Sequence, residues 1–87
     1  MISHTTEEFR RRLEALPAEV RLLARKNYVL WRRNPQHPSI RFKPVGGSVW
    51  SARVGLAYRA LAAKDGNAII WYWIGHHTEY DALLRGK

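Results

Sequence analysis

The chain has 87 residues, a formal net charge of +8 and no cysteine, so disulfides and thiolate metal sites are excluded. The polar start "MISHTTEEFRRRLEALP" is no secretory signal, and the longest apolar run, "AIIWYWIG", is too short to span a bilayer. One small cytoplasmic domain over residues 1–87 is expected, with a thin core helped by four Trp, four Tyr and two Phe.

In chain order, Thr5 and Glu8 have the spacing of a capping box. Phe9, Leu13 and Leu16 follow at helical spacing, and Pro17 closes this helix while suiting the first turn of the next. From Ala18 to about Arg33 the apolar positions Val20, Leu23, Ala24, Leu30 and Trp31 predict a second helix, which "NPQHP" (Asn34 to Pro38) ends. The period then falls to two. Ile40 and Phe42 alternate with Arg41 and Lys43, Gly46-Gly47 marks a hairpin turn, and Trp50, Ala52 and Val54 alternate with Ser51 and Arg53. A short loop at Gly55 leads into "AYRALAA", "KDGN" signals a second hairpin, and "AIIWYWIG" reads as a central strand covered on both faces. Thr78 with Asp81 resembles an N-cap, and Leu83 and Leu84 give a short last helix its apolar side. The predicted fold is α+β: an N-terminal helical hairpin packed on a four-stranded antiparallel sheet, with a short C-terminal helix. The helices are expected on one face of the sheet, and Arg41, Lys43, Arg53 and Arg59 on the other.

The charge distribution says more than its total. Four of the seven acids lie within residues 1–19 and three after residue 64. Between Val20 and Lys64 there is none, against ten basic residues, among them Arg32, Arg33, Arg41, Lys43, Arg53 and Arg59. Such a segment cannot neutralise itself locally and attracts a polyanion: nucleic acid, the ribosome or an acidic protein. The stretch "RVGLAYR" sharpens this. As a hairpin with a three-residue loop it sets Arg53 opposite Arg59, a destabilising pairing unless the charges are solvated or an anion lies between them.

In "WIGHHTEYD" a strand ends at Gly75 and two histidines, His76 and His77, fall at a helix entrance, with Tyr80 in the next turn. Either the segment only caps a helix, or an imidazole there works as acid or base near neutral pH. Adjacent histidines point apart and no further ligand set accompanies them, so neither metal nor cofactor is expected. RNA cleavage by its own 2′-hydroxyl needs a base, an acid and cations for the doubly negative phosphorane, and Arg, Lys, His and Tyr cover those roles without metal.

The segments "LPAEVRLLARKNYVLWRRNPQHPSIRFKPV", "WSARVGLAYRALA" and "IIWYWIGHHTEYDALL" resemble the RelE/ParE superfamily of bacterial type II toxins. The resemblance extends over most of the chain from Phe9. It implies a toxin neutralised by a cognate antitoxin with an acidic segment. For the RelE-like branch it further implies ribosome-dependent cleavage of mRNA in the ribosomal A site. Arg59, in "YRAL", matches the arginine that such nucleases direct at the scissile phosphate. Arg53 and Lys43 sit where the family places basic residues on neighbouring strands. His76 or His77, with His77 preferred, and Tyr80 lie in the catalytic C-terminal segment. Arg32, Arg33, Arg41 and Lys43 are the expected RNA contacts. The alternatives on the same fold are a ParE-like gyrase poison without a nuclease site and a non-catalytic nucleic-acid binder. The strand usual before the helices is expected to be missing or very short.

Overall fold

The computed structural model describes residues 1–86. Its elements are β1 (Ile2–Thr5), α1 (Glu7–Glu14), α2 (Ala18–Arg33), β2 (Lys43–Gly46), β3 (Val49–Val54), β4 (Tyr58–Asp65), β5 (Ala68–His76) and α3 (His77–Arg85). Among these residues no helix is long and apolar enough to cross a membrane.

The sheet has five strands in the order β1-β5-β4-β3-β2 rather than four. The additional strand is the start of the chain. β1 runs parallel to β5, with Thr5 opposite Trp71. This pairing also moves the first helix cap. Thr5 belongs to the strand, the Thr6 N–H donates to the Trp71 carbonyl at 2.9 Å, and Thr6 Oγ1 accepts from the Phe9 N–H at 3.1 Å. The capping residue is therefore Thr6, not Thr5. Pro17 likewise stands at the N-cap of α2 rather than inside its first turn.

The hairpins fall where their turn residues lie. β2–β3 turns at Gly47, β3–β4 through Gly55, Leu56 and Ala57, and β4–β5 at Gly66-Asn67. Gly47, Gly55 and Gly66 all have positive φ, which glycine adopts without the Cβ penalty. Strand β2 begins at Lys43, three residues later than the alternation suggests. Arg41 has φ +49°, a left-handed conformation that costs an L-residue about 1–2 kcal/mol and interrupts the strand. Ile40 is nonetheless buried, and its carbonyl accepts from the Arg53 N–H at 2.6 Å.

Helices α1 and α2 cover one face. There Trp31 meets Trp71 edge-on at 5.1 Å and Phe42 at 5.3 Å, while Phe9, Leu13, Leu16, Ala24 and Leu30 close the cluster over Ala52, Val54, Ala60, Ala62, Ile69 and Ile74. Helix α3 departs from the expected arrangement, because it packs on the opposite face. Its Tyr80 is buried against Leu61 and Trp73, with Leu84, Val45 and Val49 around them, while Leu83 faces outward. A register shift at Leu61/Ala62 accompanies this division, since Leu61 pairs with Trp73 and Ala62 with Trp71.

Candidate nucleic-acid interface

The second face of the sheet carries the basic residues. Directly paired residues of antiparallel strands project to the same side, so the register arranges this face in rows. Lys43 pairs with Ser51, Ser51 with Leu61, and Leu61 with Trp73. One step along, Arg53 pairs with Arg59 and Arg59 with Gly75. Gly75 lets the Trp73 indole lie across the end of the second row, because a Cβ there would lie 2.7 Å from Cζ2 of that ring. Arg41, Lys43, Ser51, Arg53, Arg59, Tyr80 and Asp81 together line a cleft of about 200 Å³.

This cleft holds four cationic side chains and one carboxylate. Among the described residues none of the four cations forms an ion pair. Partial desolvation, then the charges of Arg41 and Arg59, push the Arg53 guanidinium below its ordinary pKa. It remains protonated at neutral pH, so the repulsion persists until an anion enters. Arg59 is held for such a role. Its Nη1 donates to the Tyr58 carbonyl at 2.8 Å and the Leu56 carbonyl at 3.2 Å. The Nε/Nη2 edge makes no hydrogen bond among the described residues and keeps the fork geometry that suits a phosphate.

The two histidine rings do not point apart as expected: they lie 4.5 Å from one another, tilted by 31°, and differ in their polar partners. His76 pairs with Tyr58, so it shares that residue's face, away from Arg53 and Arg59, and its ring stands edge-on to Tyr58 at 5.4 Å. Its Nδ1 accepts from the Thr78 N–H at 3.2 Å and lies 3.0 Å from Thr78 Oγ1. The N-cap of α3 is thus His76, not Thr78. His77 is the first residue of the helix, and its Nδ1 lies 3.7 Å from Oδ2 of Asp81, which lines the cleft. Of the expected catalytic residues, the fold brings Arg53, Arg59 and Tyr80 into the cleft, leaves His77 outside its lining but 3.7 Å from the lining residue Asp81, and turns His76 to capping. Of the expected phosphate contacts, Arg41 and Lys43 line the cleft. Arg32 and Arg33 stand on the last turn of α2, which covers the other face, and Arg32 leans on Tyr28 with Nη1 3.4 Å from its hydroxyl.

Sequence reasoning did not single out Ser51 or Asp81 as lining residues. The period-two pattern that exposed Arg53 also puts Ser51 on its face. Asp81 was findable only as the next residue after Tyr80, read as a cap rather than as part of the cleft.

A model of the ParE-like toxin domain matches residues 18–82, most of the chain, including every residue of the cleft. The chain belongs to the ParE-like toxin family. It is a RelE/ParE-superfamily toxin of a toxin–antitoxin system, and its fold is shared with solved members. The RelB-RelE antitoxin–toxin complex from Methanococcus jannaschii contains a chain 18% identical to this toxin, with a TM-score of 0.71 over 90% of this chain and 95% of that one. The RelBE2 complex from Mycobacterium tuberculosis gives 23% identity and a TM-score of 0.68 over 86% and 88%. The isolated E. coli RelE toxin gives 13% and 0.64 over 99% and 98%. At these identities the likeness is one of fold. No curated protein matches the toxin's sequence significantly.

Proposed function

We propose that this toxin is a ribosome-dependent mRNA endoribonuclease that inhibits translation and needs no metal or other cofactor. The observation that carries the reading is the convergence of Arg41, Lys43, Arg53 and Arg59 on one cleft, without ion-pair partners among the described residues, beside Tyr80 and the His77–Asp81 pair. In the reaction the ribose 2′-oxygen attacks the adjacent phosphorus and the P–O5′ bond breaks. The products are a 2′,3′-cyclic phosphate and a 5′-hydroxyl, so the proton lost by the 2′-hydroxyl is balanced by the one gained by the 5′-oxygen. Arg59 and Arg53 stabilise the charge of the phosphorane, where fixed cations act most strongly. His77 exchanges the protons, with the Tyr80 hydroxyl in support. Lys43 and Arg41 hold the flanking phosphates.

While inhibited, the same cleft takes an acidic segment of a cognate antitoxin, which supplies the anion the four cations lack. Bacterial cytoplasm is where such a toxin meets translating ribosomes.

One observation favours a second reading. The family model that matches is the ParE-like one, and the ParE branch poisons DNA gyrase without cutting nucleic acid. Parallel assays with purified protein separate the two. Arrest of a bacterial translation extract, with gyrase supercoiling unaffected, supports the nuclease; inhibited supercoiling with normal translation supports the gyrase poison.

A further inference from the structure

Ser51 is buried, with 3% of its surface exposed, and it is the only polar or charged residue so buried among those described. A serine hydroxyl taken from water needs a hydrogen-bond partner. No hydrogen bond to the Ser51 hydroxyl occurs among the described side chains, yet the oxygen is not sealed off as the Trp31 and Trp71 indole nitrogens are. It opens onto the basic cleft, which Ser51 lines. Its neighbours there are set by register. Lys43 is directly opposite on β2, and Arg53 is two residues along the same face of β3, about 6.6 Å away at strand rise.

We propose that Ser51 is a neutral phosphate contact at the floor of the cleft, its Oγ–H donating to a non-bridging oxygen of a phosphodiester held between Lys43 and Arg53. This rests on reading the cleft as a phosphate site and adds to that reading a recognition element carrying no charge. Lysine and arginine supply attraction that any polyanion satisfies. A short hydroxyl fixed on a strand reaches only an oxygen that comes down onto the sheet, which selects a slender phosphodiester lying in the cleft over an anion held at its rim.

The absence of charge makes the contact separable by experiment. Each cation that neutralises a phosphate releases counterions and steepens the dependence of affinity on salt, whereas a neutral donor releases none. The probe is a short single-stranded oligonucleotide with 2′-fluoro sugars, which has phosphates but no attacking hydroxyl. Its affinity is measured against salt for the full chain and its variants. Ser51→Ala should weaken binding by roughly tenfold or more, the loss of one hydrogen bond from a neutral donor to an anionic oxygen, with the salt slope unchanged. Arg59→Ala should weaken binding and make the slope shallower by about 0.7. Ser51→Asp, whose carboxylate Lys43 and Arg53 can pair, should keep the melting temperature and lose binding more than tenfold. It remains informative if Ser51→Ala melts early. Unchanged affinity in Ser51→Ala, or a changed slope, overturns the Ser51 contact while leaving the cleft's role intact. Wild-type binding indifferent to both Arg53 and Arg59 overturns the phosphate reading itself, and Ser51 with it.

Discussion

Arg53 and Arg59 stand directly opposite one another across the β3–β4 ladder, and among the described residues neither has an acidic partner. Like charges directly opposite in a sheet are destabilising. A small toxin with little surplus stability carries that cost at the place where its fold opens a cleft.

Removing one of the charges should therefore separate stability from activity. Arg53→Gln is expected to melt at the same or a higher temperature, while toxicity on induced expression falls. Joint loss of melting temperature and toxicity would mean that Arg53 is holding the hairpin together.

Relief by an anion should be measurable without RNA. Inorganic phosphate is expected to raise the melting temperature above that in chloride at equal ionic strength, by about 1.4 kcal/mol of stability at ten times its Kd. The effect should vanish in Arg59→Ala. An equal response in both proteins would place the anion elsewhere.

The histidines should divide their effects. His76→Ala removes the cap of α3 and is expected to cost about 1 kcal/mol of stability. His77→Ala loses the exposed 3.7 Å pair with Asp81 and the ring contact with His76, both at the surface, so its melting temperature should move less than that of His76→Ala. Cleavage should slow in His77→Ala more than binding weakens. Wild-type cleavage by His77→Ala with none by His76→Ala would reverse the assignment.

Burial raises the Tyr72 phenol above its ordinary pKa. The neutral phenol is the form the fold favours, so its contribution is complete below pH about 10 and is lost as the pH rises through the folded-state value. Tyr72→Phe should flatten the fall of stability in alkali, followed by circular dichroism from pH 9 to 12. An unaltered alkaline slope would assign that fall to other groups.

What the sequence made legible was local. Apolar spacing placed α2 at Ala18–Arg33, and the glycines of "RVGLAYR" and "KDGN" set the hairpins, so the Arg53–Arg59 pairing followed from counting residues around a three-residue loop. What it hid depended on distant partners. Ile2–Thr5 has no strand signal of its own and becomes β1 because β5 offers an unpaired edge, which in turn decides between the adjacent threonines at the helix cap. Nothing in "SIRFK" announces that Arg41 turns left-handed, since arginine has no preference for that region, yet this turn ends the alternation before β2. Helix α3 chose its face through Tyr80, whose contacts with Leu61 and Trp73 complete the cleft; that choice required the register shift in β5, which alternation alone does not show.

The most direct test of the central claim is primer extension on an mRNA in a bacterial cell-free translation extract. The purified toxin is compared with Arg59→Ala, with translation running and with it blocked. Discrete cuts that require translation and disappear in the variant are the predicted result. Intact mRNA beside active toxin, or the same cuts from Arg59→Ala, would contradict the account.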